Sequence, residues 1–188
     1  MSGQDEVAPD LGRSRAGRAE APPGAPDRPA LQVLRPGHAA AVLAFERENR
    51  AYFAASVPDR GDAFFAEFDA RFARLLAWQA DGTDHPHVLV APDGEVVGRV
   101  NLVEVTPQRS AELGYRIARK AAGRGLATAA VREVCRLAAT AYSLTALTAR
   151  ATHDNPASRT VLERNAFRPV GHLTLNGKPA TRYHRPLP

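Results

Sequence analysis

The sequence predicts an α+β domain built on a mixed sheet, and three observations carry that prediction. Along residues 31–188 the apolar side chains switch repeatedly between a spacing of two and a spacing of three or four, so strands and helices interleave as β-α-α-β-β-β-α-β-α-β-β. One strongly periodic helical stretch stands between apolar strands at 111–117 and 145–151, as expected of a crossover helix joining neighbouring strands. The opposite character marks residues 1–30, which hold six Ala, five Pro and four Gly, with only Met1, Val7 and Leu11 among the larger apolar side chains. Such a segment buries too little surface to offset its ordering entropy, so residues 1–29 are expected to be a disordered extension and residues 30–188 the folded domain.

The elements follow in order. Leu31, Val33 and Leu34 begin a strand that Pro36-Gly37 breaks, and Val42, Phe45 and Tyr52 mark a helix over 38–53. Asp62 is placed to cap a second helix, in which Phe64, Phe65, Phe68, Phe72, Leu75 and Leu76 recur at helical spacing until Asp81-Gly82; this stripe reads as core. Residues 87–90 and 96–105 form a hairpin around Pro92-Asp93-Gly94. In the next strand Leu113, Tyr115 and Ile117 face one way, while Glu112, Gly114 and Arg116 face the other. The glycines Gly123 and Gly125 lead into a helix with apolar positions at Ala127, Ala130, Val131, Val134, Cys135, Ala138 and Tyr142. Asn155-Pro156 opens the last helix as N-cap and first-turn proline, and strands at 168–175 and 182–184 flank the turn Asn176-Gly177.

Composition excludes several classes of function. The 25 Lys+Arg against 20 Asp+Glu give a formal charge of +5, of which the segment 1–30 contributes −1 through four Arg against five Asp and Glu. No apolar run approaches the roughly 20 residues of a membrane span, and the acidic, proline-rich start is no secretory signal, so a cytoplasmic protein is expected. The single cysteine, Cys135, lies on the buried helix face, which excludes an internal disulfide and a cysteine-based metal centre, and disfavours a reactive thiol. His85 and His87 lack acidic or cysteine partners at metal spacing, so no metal is expected. The basic balance leaves RNA or ribosome association as a lesser alternative that no motif interleaving aromatic and basic residues supports, and no DNA partner is expected.

Chemistry concentrates between residues 111 and 171. A strand ends at Ile117, Ala122-Gly123-Arg124-Gly125 turns the chain, and free N–H groups at Leu126, Ala127 and Thr128 start a helix, an arrangement that attracts phosphate. The turn is no P-loop, since no Lys-Ser/Thr follows, and it lacks the third glycine of a dinucleotide fingerprint.

Together, Glu112-Leu113-Gly114-Tyr115, Gly123-Arg124-Gly125-Leu126-Ala127-Thr128, Asn155-Pro156-Ala157-Ser158 and Val161-Leu162-Glu163-Arg164-Asn165-Ala166-Phe167 resemble the GNAT N-acetyltransferase superfamily, most closely its RimJ/RimL-type branch. The resemblance spans residues 31–186 and implies a central mixed, mostly antiparallel sheet flanked by helices. It implies acetyl-CoA as co-substrate, with its pyrophosphate on the amides of residues 123–128 and its pantetheine arm along Tyr115 to Ile117 and beside Asn155. Ser158 would protonate the leaving thiolate. Two positions depart from the family pattern: Ala122 replaces Gln or Arg at the start of the turn, with Arg119, Lys120 and Arg124 available to compensate, and Ala166 replaces Gly before Phe167. If position 166 requires a positive φ, alanine is strained there.

The acceptor amine must lose a proton before attack, and an α-amine, with a pKa near 7.7–8.0, needs only a modest base. Glu112 is the first candidate and Glu104 the second, with His153 as a possible helper. The resemblance favours direct transfer to a protein or peptide N-terminus. The alternatives are a small-molecule amine, such as an antibiotic or polyamine, and a non-catalytic acyl-CoA-binding module. Monomer and homodimer both fit the family.

Overall fold

The computed structural model describes residues 28–188, so residues 1–27 of the expected extension lie outside the described residues. Strands β1 (Ala30–Val33), β2 (His85–Val90), β3 (Val96–Val103), β4 (Ser110–Ile117), β5 (Ala146–Thr152), β6 (Arg168–Leu175) and β7 (Lys178–Pro186) form one sheet in the order β1-β2-β3-β4-β5-β7-β6. Every neighbouring pair is antiparallel except β4 and β5, which run parallel. Parallel neighbours need a crossover, and helix α5 (Leu126–Thr140) supplies it.

The two faces of the sheet bury different helices. Val42 and Phe45 of α1 (Ala39–Glu48), Phe64 of α3 (Gly61–Ala66) and Phe68 and Phe72 of α4 (Phe68–Ala80) pack with Leu34 and Val88 on one face. On the other, Ala130, Val131, Val134, Cys135 and Ala138 of α5 and Leu162 of α6 (Pro156–Arg164) pack against Val100, Leu102, Leu113 and Leu147. The phenylalanine stripe is therefore core. Between Val97 and Arg99, Gly98 lets Ile117 lie close, since a Cβ there would stand 2.7 Å from the Ile117 side chain.

Two long helices expected from the sequence are bent. Asn49, at φ −103°, separates α1 from α2 (Arg50–Ala54), and Glu67, at φ −99°, separates α3 from α4. The backbone bonds from Asn49 to Phe45 and from Glu67 to Ala63 persist through both bends. At the first bend the cause is visible: the buried Asn49 amide donates to the Phe45 carbonyl, while its oxygen accepts the Arg119 N–H, so the side chain competes with regular helix. Asp62 does not cap its helix. It lies in the first turn of α3 and ion-pairs with Arg50 at 2.6 Å. Strand β3 stops at Val103, two residues earlier than expected, where Glu104 takes a positive φ of 57°.

Asn155 caps α6 as expected, its side-chain oxygen accepting the Ser158 N–H at 3.0 Å. Two residues past that helix, Ala166 stands at φ 60°. An alanine in the left-handed region is strained by about 1–2 kcal/mol, glycine gives back about 0.4–1 kcal/mol through its freer unfolded chain, and Ala166 is exposed, so no packing is lost on replacement. Ala166→Gly should raise the melting temperature by about 2–4 °C, read by thermal denaturation.

Candidate functional site

Strands β4 and β5 pair over three positions only, Ser110 with Ala146, Ala111 with Leu147 and Glu112 with Thr148. Beyond them the two strands pair no further, and among the described residues the β5-side edge of β4 from Leu113 to Ile117 has no partner strand. A buried strand edge with unpaired amides requires hydrogen-bond partners from elsewhere. At the apex of the splay, Glu112 accepts two bonds from Arg150, at 2.9 and 2.7 Å, clamping the strands where pairing ends.

The splay opens into a cleft of about 440 Å³. One wall is Tyr115, Arg116 and Ile117 of β4. The facing wall is Asn155, Ala157, Ser158 and Arg164 of α6 or its cap, and Tyr52, Phe53, Ser56 and Val57 close one end. The other end is the turn 122–125 and the start of α5. Gly123 and Gly125 take φ of +77° and +74° there, a conformation costly for any other residue. A Cβ on either glycine would meet no protein atom within 4 Å, so these positions are glycine for their φ and for the open space above them.

Gly125 is the N-cap of α5 and has no side chain to satisfy the first amides. Ala129 already bonds back to Gly125, which leaves Leu126, Ala127 and Thr128 with N–H groups free of intrahelical partners, and no acidic residue lies in that first turn. With the helix dipole behind them, these amides form a seat for an anion. Among the described residues, the charged side chains lining the cleft are Arg116 and Arg164, with no carboxylate. An elongated, phosphate-bearing molecule fits both ends of this arrangement. The compensation expected for Ala122 is only partly there: Arg124 is exposed in the turn, whereas Lys120 is ion-paired with Glu95.

Across the cleft floor the Tyr115 hydroxyl meets the Ser158 hydroxyl at 2.9 Å and also donates to its carbonyl at 3.1 Å. Burial, eased slightly by the Ser158 bond, pushes the Tyr115 phenol up to about 12, so it keeps its proton at neutral pH. The sequence reading valued Tyr115 for its backbone and did not foresee this bridge. It also missed Tyr52, Phe53, Ser56 and Val57, which lie beyond the bend at Asn49 and line the cleft.

Most sequence-predicted site residues therefore border one cavity: Tyr115, Ile117, Gly123, Gly125, Leu126, Ala127, Thr128, Asn155 and Ser158. Arg124 sits within the turn but outside the lining. Glu112 is at the apex, held by Arg150 and not among the lining residues. Glu104 is exposed, its N–H given to Asp84, and His153 bonds Thr181 instead of facing the cleft. Cys135 is only 1% exposed, stands apart from the cleft lining, and burial pushes its thiol up to about 11. Among the described residues no helix is long and apolar enough to cross a membrane, and no group of His, Cys, Asp or Glu is arranged to hold a metal.

Known proteins place this geometry. The structure is similar to the ribosomal-protein-S5-alanine acetyltransferase of Vibrio fischeri, with TM-score 0.78 and 21% identity, covering 83% of this chain and 91% of that one. RimJ of Mycobacterium smegmatis in complex with CoA-disulfide gives TM-score 0.74 at 27% identity, with coverage of 83% and 80%. Spermidine N-acetyltransferase of Vibrio cholerae in complex with CoA and spermine gives 0.71 at 20% identity, with coverage of 85% and 95%. No sequence among the curated proteins matches the chain. The family model of the GNAT acetyltransferase domain matches residues 28–168. With that match over three quarters of its length, and a splayed sheet whose glycine turn and bare helix start suit acetyl-CoA, this chain belongs to the GNAT acetyltransferase family.

Proposed function

We propose that residues 30–188 transfer the acetyl group of acetyl-CoA directly to the α-amine at a peptide or protein N-terminus. The observation that carries this choice of acceptor is the lining of the cleft, which holds Arg116 and Arg164 but no carboxylate. A polyamine carries several positive charges and needs acidic partners at close range, whereas a peptide N-terminus presents one amine followed by neutral backbone.

Acetyl-CoA, when bound, supplies an acetyl group on a thioester, already activated toward an amine. The chain's own groups do the rest. The amides of Leu126, Ala127 and Thr128 hold phosphate, and the unpaired edge of β4 at Tyr115 to Ile117 offers N–H groups to the thioester oxygen, where negative charge develops. Ser158, backed by the protonated Tyr115 phenol, holds a proton on the cleft wall for the departing sulfur. With Cys135 buried and outside the cleft, no thiol competes as nucleophile, and the amine attacks directly. Ser158→Ala is expected to lower kcat by about 10–100-fold, while acetyl-CoA affinity changes by less than about threefold. Equal losses in both would reduce Ser158 to a binding residue.

Glu112 is the proposed base, receiving the amine proton through solvent from its place on the same strand face as Arg116. Glu112→Gln should cost about tenfold or more in turnover at pH 7, and less at pH 9, where an α-amine is already neutral. A loss independent of pH would leave Glu112 as the strand clamp alone. The proposal as a whole is tested by offering the protein acetyl-CoA with an equimolar mixture of unblocked peptides, N-terminally blocked lysine peptides and spermidine. Acetylation of the unblocked peptides at the α-amine, read by fragment mass, is the expected product. Acetylspermidine as the main product would overturn the choice of acceptor, and binding of acetyl-CoA with no transfer would favour an acyl-CoA-binding module.

A further inference from the structure

With phosphate held at the turn 122–125, the acceptor is left the opposite end of the cleft, closed by Tyr52, Phe53, Ser56 and Val57, and that end adjoins an unbalanced charge. Glu46 of α1 is 1% exposed, yet three guanidiniums converge on it: Arg99 at 2.8 Å, Arg116 at 3.0 Å and Arg60 at 3.6 Å. Beside this group Arg50 is shared by two acids, Asp59 and Asp62, and Glu67 is paired with Arg71, so Arg50, Arg60, Arg99 and Arg116 together meet three carboxylates and one positive charge is in excess. One buried carboxylate thus faces three cations. Arg99 Nε is buried without a hydrogen-bond partner among the described residues. Burial, and next to it the neighbouring Arg116, pull the Arg60 guanidinium down to about 10, as expected where positive charge exceeds its compensation.

This surplus reaches the cleft. Arg116 lines it, gives Nη1 to Glu46 and lays its guanidinium over Phe53 at 4.8 Å. Arg116, Phe53 and Val57 also border a small adjoining cavity of about 10 Å³, whose other walls include Arg60, which is not part of the main cleft lining, together with Glu46 and the Asp59-Arg50 pair. Arg116 directly follows Tyr115 on β4 but leaves the strand on the opposite face, toward α1 and α2. A group on the acceptor one or two residues from the reacting nitrogen, within about 7 Å of extended chain, comes level with it.

We infer that Arg116 and Arg60 form an anion subsite that selects acceptors bearing a carboxylate close to the reacting amine: peptides with Asp or Glu in the first two or three positions. The inference rests on the reading of the cleft as an acetyltransferase site. A carboxylate there completes the charge that Glu46 leaves uncompensated, and it makes bonds to an arginine already held in place by Glu46 and Phe53. A lysine at the same position meets like charge instead.

The test uses wild-type protein, acetyl-CoA and three peptides differing only at position 2, as Glu, Gln or Lys, with free aspartate and spermidine as further acceptors. The expected order of kcat/KM is Glu over Gln by about tenfold, and Gln over Lys by a further few-fold. In R116Q, and separately in R60Q, the Glu-to-Gln ratio should approach one, a ratio that does not depend on how much activity each variant keeps. Equal rates for the three peptides, or a preference for Lys, would overturn the subsite while leaving peptide acetylation standing. Acetylation of aspartate but of no peptide would keep the subsite and overturn the peptide reading, and a preference for spermidine would overturn both. If no acceptor is turned over, binding of the three peptides to the CoA-loaded protein decides: tighter binding of the Glu peptide supports the subsite, and equal affinity refutes it.

Discussion

Gly125→Val should reduce affinity for acetyl-CoA by about 100-fold or more while leaving the fold intact. Gly125 combines φ +74° with the N-cap position of a 15-residue helix, and a β-branched residue tolerates neither the conformation nor the open space required above it. The local strain is about 1–2 kcal/mol, a modest fraction of a domain's stability. The larger effect falls on the ligand. The new side chain stands over the amides of Leu126, Ala127 and Thr128, and each lost charge-assisted bond costs about 1.5–3 kcal/mol. Calorimetric titration with acetyl-CoA, alongside a melting curve, separates the two effects. Wild-type affinity in a folded variant would show that phosphate is not held at this helix start.

The second large effect concerns stability. Glu46→Ala removes the only carboxylate among the described residues bonded to Arg99 and Arg116, and three guanidiniums are left facing one another at the edge of the core. Breaking a buried ion pair from one side costs about 3–5 kcal/mol, so the variant should unfold at markedly lower urea than wild type. The same group sets a pH dependence. Burial pushes the Glu46 carboxyl up, but Arg116, Arg60 and Arg99 together outweigh it and hold the group below its ordinary value of 4.5. A carboxylate depressed in the folded state stabilises fully above the unfolded value and loses that contribution as pH falls through the folded one. Wild type should therefore weaken below about pH 4.5, and the Glu46→Ala variant should lack that part of the acid transition. Superimposable acid limbs for the two proteins would count against the account.

What the sequence made legible was local. The alternation of Leu113, Tyr115 and Ile117, the cap at Asn155 and the glycine turn at Gly123 and Gly125 each follow from a few neighbouring residues, and these backbone features stand in the structure as read. The strain at Ala166 was legible too, because a single residue before Phe167 carried it. What stayed hidden depends on partners far apart in the chain. Glu46 meets Arg116 across 70 positions, and Tyr115 meets Ser158 across 43. Neither pairing leaves a periodic trace. The bend at Asn49 was missed because helical spacing runs through Tyr52 unbroken, while the cause is the bond from Arg119, again 70 positions away. Asp62 was taken for a cap on residue type alone, and the structure spends it on Arg50. The splay of β4 from β5 was equally invisible, since both strands keep their apolar alternation past the point where pairing ends. That splay nevertheless opens the cleft, so the lining from β4, the glycine turn and α6 could be named from sequence while Tyr52, Phe53, Ser56 and Val57 could not.

The central claim is direct transfer of acetyl to an α-amine in the cleft between β4 and β5. Incubating the protein with acetyl-CoA, first alone and then with an unblocked peptide, and weighing both protein and peptide by intact mass spectrometry, tests it most directly. The account requires an unmodified protein in both samples and one acetyl group on the peptide α-nitrogen. A protein that gains one acetyl group alone and gives it up when the peptide is added would contradict it.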